Sequence, residues 1–204
     1  MDSTAQSTRT PPADNDRFYF GTRDVFVITT LACLGAAMSI VLGHIGAALR
    51  ASIGSPGAMQ LLAGLHVLWL ALAALIVPKR GAATAAGLMK GAIELMLGSP
   101  HGLFVLLISA VAGLLLDLAL WVVPKRLLAA GVVTAAALAA GSNVVLFQLF
   151  VRLPTSKVVV IALTGFTAIA SLSGAVFGGL LALMLVRSLR RAGVVTGTRL
   201  DEQR

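Results

Sequence analysis

Residues 102–123, GLFVLLISAVAGLLLDLALWVV, contain one charged side chain, Asp117, and are otherwise almost entirely apolar. An α-helix rises about 1.5 Å per residue, so about 20 apolar residues cross the roughly 30 Å hydrocarbon core of a bilayer. This stretch therefore predicts a transmembrane helix. The composition agrees, because 58% of the 204 residues are hydrophobic and only 12% are charged, whereas a soluble domain has about 25% charged residues.

Similar apolar runs recur along the chain and predict an all-α, polytopic membrane protein with six transmembrane helices. The predicted spans are 25–49, 58–77, 82–97, 102–123, 127–150 and 158–186. The third run is short and contains Lys90 and Glu94, so it is assigned mainly from the polar, helix-breaking loops on either side. The predicted organisation is a disordered cytoplasmic tail over 1–22, a six-helix membrane domain over 23–191 and a cytoplasmic tail over 192–204.

The basic residues predict the orientation of the chain in a cell membrane. One side of the predicted membrane holds most of them, namely Arg9, Arg17, Arg23, Lys79, Arg80, Lys125, Arg126, Arg187, Arg190, Arg191, Arg199 and Arg204. Because basic residues are retained on the cytoplasmic side, both termini are predicted to be cytoplasmic. The net charge of +8 is thus explained by topology, and no nucleic-acid partner is predicted.

Polar side chains in the outer halves of the spans are the candidate binding residues. A charged residue at the centre of a transmembrane helix costs about 2.5–3.5 kcal/mol, so such residues are functional candidates by default. The polar candidates are His44, Gln60, His66, Glu94, His101, Asn143 and Gln148. Simple structural roles are the alternatives: helix capping for His44 and His101, and hydrogen bonds between helices for Asn143 and Gln148.

Two short patterns in this region point to a ligand. His66 and Trp69 are three residues apart on one helix face and could hold a flat heteroaromatic ring, although ordinary core packing would give the same pattern. Glu94 shares a helix face with Gly87, Gly91 and Gly98, which indicates close packing on another helix and a carboxylate directed into protein. The carboxylate could face a ligand, or it could form an ion pair with Lys90 one turn earlier.

The motifs of common enzymes do not occur in the sequence. It contains no phosphate-binding loop and neither of the usual hydrolase signatures, and no two of its histidines have the spacing of metal ligands. No enzymatic activity, cofactor or metal is therefore predicted. Asp117 is interpreted as a structural anchor near the cytoplasmic face, and Cys33 as a small buried apolar residue.

Three motifs resemble the YkoE-type substrate-binding (S) components of energy-coupling factor (ECF) transporters. They are FGTRD at 20–24, AGLHVLW at 63–69, and KGAIEL at 90–95 running into GSPHG at 98–102. The resemblance implies a six-helix subunit that captures thiamine or its hydroxymethylpyrimidine precursor at the outer side. It also implies two kinds of partner, a transmembrane T component and a pair of cytoplasmic ATPases. An Ala-x-x-x-Ala pattern, here Ala32 and Ala36, would contact the T component.

Two other functions remain open at this point. A stand-alone, proton-coupled secondary transporter of a small cationic or heteroaromatic solute could use Lys90, Glu94 and the histidines as a proton relay. A membrane-assembly protein would bind no ligand. Within the leading hypothesis, Glu94 could bind the pyrimidine, which thiamine shares with its precursor, or the cationic thiazolium, which only thiamine has.

Overall fold

A computed structural model of the protein describes residues 19–54, 56–99, 102–151 and 156–201, and this part is almost entirely helical. The helices are α1 (Thr22–Ile53), α2 (Ala63–Ile76), α3 (Ala82–Met96), α4 (Phe104–Val122), α5 (Leu128–Val151), α6 (Lys157–Ser173) and α7 (Leu181–Arg191). A 3₁₀ segment, Pro56–Leu62, precedes α2, and another, Lys125–Leu127, precedes α5. A π-helical segment, Gly174–Leu180, joins α6 to α7 into one long helical element. The all-α, multi-pass prediction is confirmed.

Five helical segments in the described residues are long and apolar enough to cross a membrane. They are Thr22–Ile53, Gly57–Ile76, Phe104–Val122, Lys125–Leu149 and Lys157–Arg191. The remaining predicted span, the third along the chain, corresponds to α3, which has only 15 residues. At about 1.5 Å per residue, such a helix is roughly 22 Å long, which is shorter than the hydrocarbon core of a bilayer. The third predicted span is therefore a short helix held by its neighbours.

Glycines allow α3 to pack closely on α4. A methyl group placed on Gly87 of α3 would lie 2.2 Å from the carbonyl oxygen of Ser109, and one placed on Gly113 of α4 would lie 2.4 Å from that of Ala83. Small residues at such contacts are typical of transmembrane helix pairs. Gly98, in contrast, has φ +79° and open space around it, so it serves a turn and not the packing face predicted for it.

Asp117 of α4 holds the first turn of α3. Its carboxylate accepts hydrogen bonds from the backbone N–H and the hydroxyl of Thr84, both at 2.7 Å, and a longer one from the N–H of Ala83. The first N–H groups of a helix have no partner within the helix, so the carboxylate of a neighbouring helix supplies one. The prediction that Asp117 is a structural anchor is confirmed.

The central helix of the bundle is α2, which packs on α1, α3, α4, α5 and the long element α6–α7. Its inner residues, such as Val67, Leu70 and Leu75, are almost completely buried. The outer helices instead expose apolar side chains, as a membrane-embedded surface requires. Cys33 lies on this exposed surface of α1, so its predicted burial is wrong.

Irregular helix geometry marks the contact between α2 and α6. The hydroxyl of Ser173, where α6 passes into the π-helical segment, accepts the N–H of Gly64 at 2.9 Å and donates to the carbonyl of Leu61 at 2.6 Å. Gly64 lies in the first turn of α2, just after the 3₁₀ segment, and π-helical turns often occur at functional sites. This contact fixes the start of α2 and hence the position of His66 and Trp69.

The C-terminal segment, residues 192–201, folds back on the bundle. The backbone N–H of Arg199 donates to the carbonyl of Leu75 at 2.9 Å, and Thr198 and Leu200 are buried. Asp201 forms an ion pair with Arg190 of α7. The segment therefore packs against the ends of α2 and α7 that the basic residues predict to be cytoplasmic.

Candidate functional site

His66 and Trp69 of α2 both contact α1. The Nδ1 atom of His66 lies 2.9 Å from the hydroxyl oxygen of Ser39. The Trp69 side chain lies directly against Gly35, where a methyl group would come within 3.0 Å of its Cγ atom. The shared face predicted from the three-residue spacing is thus the face that α2 turns toward α1.

Trp69 also has a buried polar atom with no hydrogen-bond partner in the part of the chain that the structure describes. This atom is the indole Nε1. The side-chain Oδ1 of Asn143 on α5 is likewise buried with no hydrogen-bond partner among the described residues. Leaving a buried donor or acceptor unpaired costs about 1–3 kcal/mol, and native proteins seldom retain such groups without a bound molecule or a function that explains them. Trp69 and Asn143 therefore each retain unused hydrogen-bonding capacity, one as a donor and one as an acceptor.

Lys90 and Glu94 form an ion pair inside the bundle. The Lys90 Nζ and Glu94 Oε1 atoms are 2.5 Å apart, and only 4% and 7% of the two side chains are exposed. The predicted direction of Glu94, into protein and away from lipid, is therefore confirmed. Of the two interpretations of its carboxylate, the structure forms the ion pair with Lys90, and one carboxylate oxygen is thereby engaged.

The α2 and α3 groups lie at similar heights in the bundle. A methyl group on Gly87 would lie 3.4 Å from the side chain of Leu70, so these two residues share a level. Consecutive helices joined by a short loop run antiparallel. One turn, or about 5.4 Å, closer to the predicted outer end than Leu70 and Gly87 lie His66 on α2 and both Lys90 and Gly91 on α3. The ion pair therefore lies at or just beyond the level of His66.

The remaining predicted residues are more scattered. Gln60 is half-buried in the 3₁₀ segment before α2, and Asn143 and Gln148 are half-buried on α5. His44 is exposed on α1, and its Nδ1 lies 2.8 Å from the carbonyl oxygen of Ile40 in its own helix. The structure does not bring His44 to the other groups. His101 lies outside the described residues.

The predicted docking pair on α1 faces inward. Ala32 is 1% exposed and Ala36 is 0% exposed, so neither is available to a partner chain in this structure. The prediction that they contact a T component is therefore not supported. The physical reason is that a small-x-x-x-small pattern marks close helix packing of any kind, and here α1 packs within its own bundle. The neighbouring residues Cys33 and Ala37 are the exposed ones.

Two residues of α1 that contact the candidate site were not predicted from the sequence. They are Ser39, which contacts His66, and Gly35, which lies against Trp69. Their spacing of four residues on a helix was the available signal, because it places a small residue and a hydroxyl on one stripe. The sequence does not indicate which helix that stripe would meet.

The sequence model of a family described as "ABC-type cobalt transport system, permease component" matches residues 23–143, which is more than half of the chain. The chain belongs to this family. The fold is also similar to a solved structure titled "Crystal structure of an S-component of ECF transporter", with a TM-score of 0.71 and 23% identity over 90% of this chain and 92% of that one. No curated protein matches the sequence.

These similarities confirm the predictions at a coarse level. The chain is a multi-pass membrane protein of an ABC-type permease family, and its fold is that of an ECF S component. A permease component is a transport subunit, in agreement with the predicted non-catalytic role. The stand-alone secondary transporter is not favoured, because the matching family is one of ABC-type systems. Thiamine-class specificity and the orientation of the termini stay predictions.

Proposed function

We propose that this chain is the substrate-capture subunit of an ECF transporter and binds a small aromatic vitamin of the thiamine class among α1, α2, α3 and α5. The observation that carries the proposal is the unpaired, buried indole N–H of Trp69, on the same face of α2 as His66. Import would be driven by ATP hydrolysis on two separate cytoplasmic ATPases, through a transmembrane T component.

The chemistry of an aminopyrimidine complements the unpaired atoms. Its ring nitrogens accept hydrogen bonds and its amino group donates them, whereas Trp69 offers a donor and Asn143 an acceptor. Its flat ring also suits contact with an indole and an imidazole. Both thiamine and its hydroxymethylpyrimidine precursor contain this ring, so the shared aminopyrimidine is the part that we assign to this site.

The ion pair favours the neutral precursor over the cationic vitamin. Because Lys90 neutralises Glu94, the pair contributes no net charge to balance a bound thiazolium. A buried charge is costly unless it is paired, so a cation would have to displace Lys90 from the carboxylate. A neutral hydroxymethylpyrimidine requires only hydrogen bonds. We therefore propose that the precursor binds more tightly than thiamine.

A cobalt ion is the substrate that the family description suggests, and it requires a different set of groups. Nitrogen, oxygen or sulfur ligands must converge on a transition-metal ion. Among the described residues, no group of three or more histidine, cysteine, aspartate or glutamate side chains could hold a metal ion. The groups that we assign to the site are an indole and an imidazole on one face of α2 and a carboxylate already paired with lysine, and these suit a flat organic ligand better than a metal ion.

Calorimetric titration of the purified protein in detergent tests this proposal with three probes: hydroxymethylpyrimidine, thiamine and Co²⁺. We expect hydroxymethylpyrimidine to bind, and Trp69→Phe to weaken it about 2- to 13-fold, the effect of losing one hydrogen bond of about 0.5–1.5 kcal/mol. Trp121→Phe is the matched control, since Trp121 is 59% exposed at the end of α4. Tight binding of Co²⁺ with no response to the organic probes would contradict the proposal.

A second matched pair separates the two described histidines. His66→Ala should weaken hydroxymethylpyrimidine binding, whereas His44→Ala should not, because His44 is exposed on α1. Equal losses in the two variants would show that His66 has no special part in the site. The protein contains two tryptophans, so in the Trp121→Phe background Trp69 fluorescence reports on the site directly.

A further inference from the structure

The C-terminal segment and the end of α7 line a cavity at the surface of the protein, and this cavity shares no residue with the proposed vitamin site. It has a volume of roughly 500 Å³, and its lining includes Arg187, Arg190 and Arg191 of α7, together with Thr196 and Asp201 of the segment. The segment is fixed in place by the hydrogen bond between Arg199 and Leu75. The segment that forms one wall of the cavity is therefore held against the bundle.

The charges around this cavity are unbalanced. Asp201 pairs with Arg190, but Arg187 and Arg191 are exposed and form no ion pair within the part of the chain that the structure describes. These two arginines are four residues apart on one helix face, where like charges repel each other. Three guanidinium groups and one carboxylate leave a local excess of two positive charges.

The position of the cavity indicates which anion would balance that excess. The element Lys157–Arg191 is long and apolar enough to span a membrane, and the three arginines occupy its last turns. They therefore lie where the helix leaves the hydrocarbon and meets the lipid headgroups. Guanidinium groups bind phosphate oxygens in a bidentate manner, and the cytoplasmic leaflet is rich in anionic lipids.

We propose that Arg187, Arg190 and Arg191 bind a phosphate-bearing anion, supplied by the headgroup of an anionic phospholipid. Arg190, oriented by Asp201, forms the back of the site, and Arg187 and Arg191 provide the free charges. The hydroxyl of Thr196 is available as an additional hydrogen-bond donor. This lipid site is independent of the proposed vitamin site, since it shares no residue with it.

Native mass spectrometry of the full chain, released from nanodiscs, tests the lipid site. We expect the wild-type protein to retain phosphatidylglycerol in preference to phosphatidylcholine. Each arginine near the surface of an anionic membrane contributes about five-fold to binding, so Arg187→Gln with Arg191→Gln should reduce retention about 25-fold. Lys125→Gln with Arg126→Gln is the matched control, because these basic residues lie in the loop before α5, outside the cavity.

Two further measurements distinguish a lipid headgroup from free phosphate and test whether the bidentate geometry of arginine matters. Displacement of the lipid by millimolar inorganic phosphate would support the anion site and assign it to free phosphate. The variant Arg187→Lys with Arg191→Lys keeps the charge but loses the bidentate geometry, and should retain an intermediate amount of lipid. Equal retention of both lipids by the wild-type protein, or unchanged retention in the double glutamine variant, would overturn the proposal.

Discussion

The buried ion pair of α3 gives the sharpest prediction about stability. Removing one member of a buried pair leaves the other charge without compensation, which costs about 3–5 kcal/mol. Replacing both members by apolar side chains of similar volume is often neutral or stabilising. We therefore expect Lys90→Met and Glu94→Met each to be strongly destabilising, and the double variant to recover most of the loss.

The size of the effect in a melting experiment follows from the length of the chain. For a protein of about 150–250 residues, 1 kcal/mol shifts the melting temperature by about 2–4 °C. Each single variant should therefore melt about 6–20 °C below the wild-type protein, and the double variant within a few degrees of it. Thermal unfolding in one detergent, followed by tryptophan fluorescence and by circular dichroism, measures all four proteins.

A second ion pair serves as the internal control. Lys79 and Asp24 are 3.0 Å apart, but 38% and 19% of their side chains are exposed. Exposed pairs contribute about 0–1 kcal/mol, so Lys79→Met should lower the melting temperature by no more than about 4 °C. If the single variants at 90 and 94 melted within 2 °C of the wild-type protein, or if the double variant melted as low as they do, our account of the pair would be refuted.

Further predictions follow from packing, capping and titration. Gly64→Ala should lower the melting temperature sharply, because its methyl group would lie 2.0 Å from a backbone carbonyl oxygen of α6, whereas Gly43→Ala should leave it unchanged or slightly raised, since nothing lies within 4 Å and alanine is the better helix former. Asp117→Asn should cost about 1.5–3 kcal/mol per charged hydrogen bond lost and should speed hydrogen exchange in the first turn of α3. The pKa of Asp201 is held below its usual value of 3.8 by hydrogen bonds from the backbone and hydroxyl of Thr198. The stabilisation that Asp201 provides is therefore complete above about pH 4 and is lost as the pH falls through its lowered pKa, so proteolysis of residues 192–201 should accelerate only in that acidic range.

The helices could be predicted closely because a long apolar run is itself the signal of a span. The predicted fourth span, 102–123, differs from α4 by only one or two residues at each end. The third helix was harder, since α3 is short and carries two charges. It was placed by its flanking loops, and its stability depends on glycine contacts with α4 that hydropathy does not register.

The direction in which each helix face points was much less predictable. Helix α1 is apolar on nearly all sides, so its sequence does not separate a lipid-facing stripe from a packed one. Ala32 was therefore expected on the outside and is buried, whereas Cys33, the next residue, was expected inside and is exposed. Successive side chains of an α-helix point about 100° apart, so turning α1 about its axis by that angle exchanges which of the two residues is buried.

Only part of the candidate site could be predicted from the sequence, because the direction of each helix face decides which side chains meet. Glu94 was directed correctly because its helix face also carries Gly87 and Gly91, which can only serve a close contact. Its pairing with Lys90 was one of two open alternatives, because a spacing of four residues permits an ion pair without requiring it. The contact between Ser39 and His66 depends on how α1 and α2 pack, and no local pattern specifies that.

The central claim is that this subunit captures an aminopyrimidine compound of the thiamine class. The most direct test is mass spectrometry of the small molecules released when the freshly purified protein is denatured, with metal analysis of the same sample. We predict near-stoichiometric release of hydroxymethylpyrimidine, or of thiamine in a smaller amount, and a reduced amount of that ligand from Trp69→Phe. Stoichiometric cobalt with no organic ligand, or a preparation that repeatedly releases nothing from cells supplied with both compounds, would contradict the claim.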